Sequence, residues 1–455
     1  MSSLRALDEA AVTTLGASFS GFLVRPGDDG YDDARRLHNA LVDKRPILIA
    51  RCRGVADVVD ALALGRASGL DVSVRGGGHN VAGRALAEGG VVIDLSLMKG
   101  IHVDPKRRRA LVQGGVTWRE FNRETGLHGL ASTGGVISTT GVAGLTLGGG
   151  LGWLMGTHGL SVDNLRSIQL VTASGDVLDA SEGGEPDLFW AVRGGGGNFG
   201  IAVSFEFELH PVDEVVGGLV AYPFTQAAEA LRRFRDFAPA ASDELAVMPL
   251  LVHAPDSEPI VAFAMCHAGE REAAQAEIEP LLNVGTPLFT DVGPMPYPVV
   301  NTLLDAGFPP GVLNYWKSSF LDGLSDDLID TLVEQFAACP SSMTGIAIEH
   351  FHGAVTRVPV EATAVPHRDP GFNFLIASVW IDPESTEKNI AWTRETYAAV
   401  APHFRALRYV NYLDDDDAGD AVATAFGSNY ERLAEIKRKY DPANVFRSTH
   451  NIEPS

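Results

Sequence analysis

The chain has 455 residues, with 36 Lys and Arg against 58 Asp and Glu and a formal net charge of −22. That charge excludes nucleic acid and anionic membrane as expected partners, since both are gripped by basic patches. Hydrophobic residues at 45% suit a large buried core, and roughly 150 residues per domain allows two or three domains.

In chain order, Tyr31–Val42 reads as an amphipathic helix and Pro46–Ala50 as a short buried strand. Val55–Ala67 has helical apolar spacing, ends at Ser68-Gly69 and precedes the strand Asp71–Arg75, which completes a β-α-β unit. Strands are expected at Val91–Leu95 and Ala110–Gln113, then a helix near Val116–Thr125. Ile168–Thr172 and Asp176–Leu178 form a hairpin turning at Ser174-Gly175, and Ile201–His210 alternates like a half-buried strand. Between 215 and 405, strand-like runs (Val216–Tyr222, Leu245–Val252, Pro259–Met265, Ser342–His350, Phe372–Ile381) mix with helical ones (Gln226–Phe237, Glu270–Leu282, Asp326–Cys339, Thr386–Val400). That mixture predicts an antiparallel sheet with helices on one face. Residues 406–455 return to loop and helix, with turn chemistry at Asp441-Pro442, and the acidic run Asp414–Asp417 reads as a solvated loop.

Cys52, Cys266 and Cys339 are too scattered for a disulfide framework or a structural zinc site, and no metal is expected. No apolar run is long enough to cross a bilayer. The opening MSSLRALDEA lacks a signal core, so a cytoplasmic location is expected.

Glycine is the outlier, at 49 of 455 residues, about 11% against a usual ~7%. It clusters at Arg75-Gly76-Gly77-Gly78-His79-Asn80 with Gly83, across Gly134–Gly152, and at Arg193–Gly200. Glycine allows positive φ and close approach, and successive bare N–H groups make an anion nest. Three such loops point to a phosphate-bearing cofactor held mainly by backbone. The Rossmann fingerprint fails in both candidate loops, and the P-loop, zincin and α/β-hydrolase motifs are absent.

Arg75-Gly-Gly-Gly-His79-Asn80-x-x-Gly83 resembles the loop of FAD-linked oxidases of the vanillyl-alcohol oxidase superfamily, in its berberine-bridge-enzyme-like branch. The likeness spans nearly the whole chain. It includes Gly141–Gly150, Gly159–Leu165 with Asp163 and Asn164, Asp187–Gly200, Tyr409–Tyr412, and Tyr440–Arg447 with His450-Asn451. It is strongest to bacterial members that oxidise hydroxylated nicotine or polyketides.

The resemblance implies an α+β fold: a two-part PCMH-type FAD-binding domain and a separate substrate domain of antiparallel sheet covered by helices. Residues 1–214 and 406–455 would form the first, and 215–405 the second. It implies FAD held through His79, with Arg75, Gly76, Gly77, Gly78, Asn80, Gly83, Thr140, Gly141, Gly144, Leu145, Gly148, Gly149, Gly150, Asp163, Asn164, Gly200, Ile201, Val203, Asn411, His450 and Asn451 around it. Many relatives add a second link through a Cys. Here that position falls at or beside Ile137, so a single link is expected.

The implied reaction is two-electron oxidation of a small-molecule substrate (alcohol, amine, sugar or polyketide), with O2 as acceptor. Glu349 stands where the family's catalytic Glu would, with His350, Tyr409 and Tyr412 as further candidates. Period two sets Ala347, Glu349 and Phe351 on one face of the strand and His350 on the other. An alternative is an oxygenase working through an oxygenated flavin on a polyketide-like substrate, with Ile137, Thr140 and Leu145 around the O2 site. A non-catalytic flavin-fold binding protein is the second alternative. A homodimer is left open.

Overall fold

The computed structural model of the chain describes residues 7–416 and 421–455. Four sheets organise it. A four-stranded sheet runs Phe22–Val24, Leu48–Arg51, Val91–Asp94, Val72–Arg75, its last three strands parallel. The helix Val55–Ala67 makes the crossover between two of them, the β-α-β unit expected from the sequence. A five-stranded antiparallel sheet follows: Ile101–Asp104, Arg109–Gln113, Ile201–Glu208, Leu165–Val171, Val177–Ser181. Its alternating Phe205 and Phe207 pack on Trp118, Phe121 and Phe189. His210–Pro211 pairs with Leu130–Ala131 in a two-stranded ladder.

The largest sheet has seven antiparallel strands. From one edge they are Phe289–Pro296, Glu214–Pro223, Pro259–His267, Leu245–His253, Gly345–Phe351, Gly371–Trp380 and Leu313–Leu321. The helices Ala227–Phe237, Arg271–Leu282, Asp326–Ala337 and Thr386–Val400 cover one face and bury Val220, Phe263, Ile348 and Phe374 there. The other face turns toward the first region of the chain. The C-terminal helix Tyr430–Tyr440 returns to that first region, where Leu433, Ala434 and Ile436 join the core around Leu188 and Phe199.

Several expectations change. Tyr31–Val42 is helical only over Tyr31–Arg35. Beyond it the chain turns extended, because the His38 N–H donates to Gly78 O and the Asn39 amide bridges Val81 O and Asn314 O. The strands Ile101–Asp104, Phe289–Pro296 and Leu313–Leu321 were not expected. Phe289–Pro296 holds Pro294, Pro296 and Gly293, tolerable because it is an edge. In Leu313–Leu321 the polar Lys317, Ser318 and Ser319 hide a strand buried throughout.

Asp414–Asp416 is not a free solvated loop. Asp416 accepts from Tyr315 Oη (2.6 Å), Lys317 Nζ (2.7 Å) and Arg394, and Asp414 accepts from the Trp316 N–H at 3.1 Å. Asp417 lies outside the described residues. Among those residues, no helix is long and apolar enough to cross a membrane.

Candidate active site

A cavity of about 630 Å³ lies between the glycine loops and the open face of the seven-stranded sheet. Gly76, Gly77, Gly78, His79 and Asn80 line it from the first loop. Thr140, Gly141, Gly144 and Leu145 line it from the second, together with Ile137. The two loops meet back to back: a Cβ on Gly77 would stand 2.5 Å from the Gly141 nitrogen, and a Cβ on Gly141 2.5 Å from that of Gly77. Only glycine permits that approach.

The second loop is held from three sides. Thr117 and Glu120 cap the helix Trp118–Gly126 reciprocally. Its Arg119 N–H donates to Ser138 O at 2.7 Å. Asp305 accepts from Ser138 N (2.8 Å) and Oγ (2.6 Å), and the Asn301 amide donates to Gly135 O at 2.6 Å. The loop is thereby tied to the segment that follows the edge strand Phe289–Pro296.

His79 is fixed in place. Its Nε2 lies 3.0 Å from Thr139 Oγ1, and its ring stacks on His38 with centroids 3.7 Å apart. Burial, with His38 adding repulsion, lowers its pKa to about 3. The imidazole is therefore neutral and nucleophilic at physiological pH.

Of the other residues expected around FAD, Gly200, Ile201, Asn411 and His450 also line the cavity. The Asn411 amide donates to Leu145 O (3.0 Å) and Tyr409 Oη (2.9 Å), which positions it over the second loop. The tail is pinned by Asn198, which donates to His450 O and accepts from Ile452 N.

The remaining predicted cofactor residues do not reach the cavity wall, and each has a structural reason. The Arg75 guanidinium donates to Ala34 O and props the first loop from behind. Gly83, at φ +67°, turns under Val42. Gly148, Gly149 and Gly150 lie behind the second loop: a Cβ on Gly148 would meet Asn411 Oδ1 at 2.0 Å, and Gly150 N–H donates to Tyr409 Oη at 2.9 Å. Asp163 is paired bidentately with Arg368, 2.8 and 2.9 Å, away from the wall. Asn164 caps His158 O and Leu160 O. Val203 sits in the core with Ala50 and Val58. Asn451 stands outside the lining, beside His450.

Of the four catalytic candidates, two line the cavity. Glu349 is 3% exposed and receives hydrogen bonds from the Asn373 amide and from Tyr412 Oη, the latter at 3.1 Å. Burial pushes its pKa up to about 7, against the lowering effect of those two donors. It neither faces solvent nor pairs with an arginine. Burial and the Glu349 charge hold the Tyr412 phenol well above its ordinary value, so it stays a donor. Tyr409 lies one layer back, where burial pushes its phenol up to about 12 and its oxygen accepts from Gly150 N–H. His350 lies on the helix face against Phe234 and Phe372, and strand alternation removes it from the chemistry.

Sequence reasoning missed Asn373 and Trp316. Asn373 is in register with Glu349 across the strand pair. Its one signal is a lone amide in the apolar run Phe372–Trp380, and the pairing itself needs three-dimensional register.

FAD fits this cavity. Bare backbone from three glycine loops lines it, and Ser73 Oγ and His450 Nε2, both on lining residues, are buried without a hydrogen-bond partner. Those atoms and the open N–H groups are the donor set a flavin dinucleotide requires.

Residues 46–181 match the FAD binding domain family, and residues 408–453 match the berberine and berberine-like family. The chain is 31% identical over 454 residues to (R)-6-hydroxynicotine oxidase of Paenarthrobacter nicotinovorans, covering 96% of this chain and 97% of that one. It is 28% identical to an FAD-linked oxidoreductase of Dictyostelium discoideum, covering 96% and 95%. The crystal structure of 6-hydroxy-D-nicotine oxidase from Arthrobacter nicotinovorans superposes with a TM-score of 0.88 at 30% identity, covering 96% of this chain and 99% of that one. A chitooligosaccharide oxidase shares the fold at a TM-score of 0.87 and 22% identity, covering 98% and 100%. The chain belongs to the berberine-bridge-like family of FAD-linked oxidoreductases.

Proposed function

We propose that this enzyme oxidises a small alcohol or amine with FAD held by one covalent bond to His79, and that Glu349 is the base. The observation that carries the reading is Glu349: a buried carboxyl, oriented by Tyr412 and Asn373, lining the same cavity as His79 and the glycine loops. FAD, when bound, supplies a hydride acceptor and a route for the electrons to O2.

The protein's own groups do the rest. Gly76–Gly78 and Gly141 offer backbone N–H groups to the cofactor. Thr139 and His38 fix the neutral His79 ring. Near neutral pH, Glu349 can take a proton from a substrate O–H or N–H, with Tyr412 stabilising the carboxylate. No cysteine supports a second link, since Cys52 and Cys266 are buried elsewhere and Cys339 follows the helix Asp326–Ala337. We assign residues 1–214 and 406–455 to the cofactor unit and 215–405 to the substrate unit, within the described residues.

Acid precipitation of the purified protein tests the reading. The wild-type pellet is expected to stay yellow and the His79→Ala pellet to be colourless. Glu349→Gln should keep its colour but fail to be reduced by substrate in the absence of O2. A wild-type pellet that releases its flavin would end the covalent assignment. The oxygenase alternative also has its residues in place, since Ile137, Thr140 and Leu145 all line the cavity. Labelled O2 separates the two: label in peroxide marks an oxidase, and label in product an oxygenase.

A further inference from the structure

Two stretches of the cavity wall are fastened to each other. Ile137 and Thr140 line it from the second glycine loop, and Leu304 and Phe308 line it from the turn after the short helix Tyr297–Val300. Ser138 stands in the first stretch and Asp305 in the second. Ser138 is 0% exposed, and each of its polar groups is used. Its N–H and hydroxyl donate to the two Asp305 carboxylate oxygens, at 2.8 and 2.6 Å. Its carbonyl accepts from the Arg119 N–H at 2.7 Å, and its Oγ accepts from Arg119 Nε at 3.0 Å. Arg119 Nη2 also donates to Asp305 at 2.8 Å, but the Arg119 side chain is mostly exposed and its ion pair contributes little.

The residue after Ser138 is Thr139. Its Oγ1 is the hydrogen-bond partner of His79 Nε2, at 3.0 Å, on a ring whose face is stacked on His38. A ring stacked on one face and held at one nitrogen has one orientation, so the position of Thr139 decides where His79 points. Asp305 therefore reaches the imidazole in three steps: to Ser138, along one peptide bond to Thr139, and across to Nε2.

We propose that Asp305 is a positioning residue for the cofactor link, holding Ser138 so that Thr139 presents the His79 ring to the flavin. The proposal rests on the covalent reading of His79 and adds the group that aims the ring. Without the carboxylate, the buried Ser138 N–H and hydroxyl lose their acceptors, and the loop moves to recover them from water. A shift of ~1 Å at a bond-forming atom slows the step by about 10². The backbone N–H groups of the glycine loops still grip the cofactor. The expected signature is a flavin that binds but is not joined to the chain.

Three measurements on freshly purified holoprotein test this: total flavin, the share that stays in the acid-precipitated pellet, and the denaturant midpoint. Asp305→Ala and Thr139→Val should keep total flavin within about two-fold of wild type and lower the pelleted share by about five-fold or more. Asp305→Asn, whose amide oxygen still accepts from the Ser138 N–H, and Thr139→Ser, which keeps the hydroxyl, should restore that share. The double variant of Asp305→Ala and Thr139→Val should match Thr139→Val alone, because the two residues act in series. Where Asp305→Ala does not accumulate, Ser138→Ala, which deletes only the hydroxyl, carries the test with a smaller loss in the same direction.

A pelleted share in Asp305→Ala equal to that of wild type overturns the proposal and leaves the covalent reading standing. So does a share that falls only in step with total flavin and the midpoint, which marks a residue of folding alone. A wild-type pellet that releases its flavin ends the covalent reading and the proposal with it.

Discussion

Across one cavity, Gly76–Gly78 and Gly141 present bare backbone while Met248, Leu250, Ala347 and Glu349 present side chains. The two walls differ in what a mutation can change. Where the two loops meet on the glycine wall a side chain collides, as at Gly77, where a Cβ would lie 2.5 Å from the Gly141 nitrogen. On the sheet wall a side chain can be exchanged while the strand pairing holds it in register. The reading proposed above sets a cofactor common to many reactions against the glycine wall, and the substrate against the exchangeable one.

Glu349→Gln is the severest test of that contrast. It keeps shape and hydrogen-bonding capacity but cannot take a proton, so kcat/KM should fall by about 10³ with flavin content unchanged. Anaerobic stopped-flow reduction measures it. In the wild type the carboxyl must be ionised to act. Its pKa is raised by burial to about 7, so kcat/KM should rise with pH through about 7 and then level. The folded pKa lies above the ordinary carboxyl value of 4.5. The fold therefore binds the proton more tightly than the unfolded chain does, and its stability should decline as pH rises from that range to about 7. Glu349→Gln should lack both effects. An unchanged pH limb in this variant would move the base elsewhere.

The same contrast governs what could be read from sequence. The glycine wall announces itself because glycine is chosen for backbone reasons that leave consecutive letters: Gly76–Gly78, Gly148–Gly150 and Gly194–Gly197. Even so, those letters do not separate residues that touch a ligand from those that build the turn, which is why Gly148–Gly150, Asp163 and Val203 stand behind the wall. On the sheet, period two separated Glu349 from His350 but could not say which face met the cavity. Asn373 and Trp316 join the site through strand pairing over sequence gaps that no local pattern encodes. Trp316 also sits in a strand whose Lys317 and Ser319 mask it, their partners being Asp416, Arg405 and Leu407 far along the chain.

Lys437→Met probes the support of the glycine wall. Lys437 and Asp441 are both 0% exposed. The ammonium donates to Asp441 (2.7 Å), Asn198 O (2.8 Å) and Phe446 O (3.2 Å), fastening the C-terminal segment to the third glycine loop. The variant leaves Asp441 buried without its cation, so unfolding should become easier by about 3–5 kcal/mol in denaturant titration. The holoenzyme should also lose flavin contacts around His450. Lys437→Met with full stability would mean that the tail is held by its apolar contacts alone.

Tyr412→Phe probes the sheet wall more gently. The ring remains against Trp316, and only the hydroxyl donor to Glu349 is lost. That donor lowers the Glu349 pKa, so its removal should shift the pH limb upward and slow the reaction about ten-fold at neutral pH. Substrate affinity should hold, which places the effect in kcat. A shift to lower pH would mean that the phenol acts on the carboxyl in some other way than as a donor.

The smallest effect is expected on the opposite face of the same sheet. Arg232 bridges two covering helices through Asp326 at 3.0 Å and Asp330 at 2.6 Å, with all three side chains largely solvated. Exposed pairs gain little, because water already satisfies both partners and ordering long side chains opposes the contact. Arg232→Ala should leave the denaturant midpoint nearly unchanged and kcat/KM where it was. The sheet separates the ionic helix face from the apolar cavity floor, and a charge on one face is screened before it reaches Glu349 on the other. If Arg232→Ala moved the pH limb of Glu349, the two faces would be electrostatically coupled, and the carboxyl's raised pKa would belong to the whole sheet rather than to its burial beside Tyr412 and Asn373.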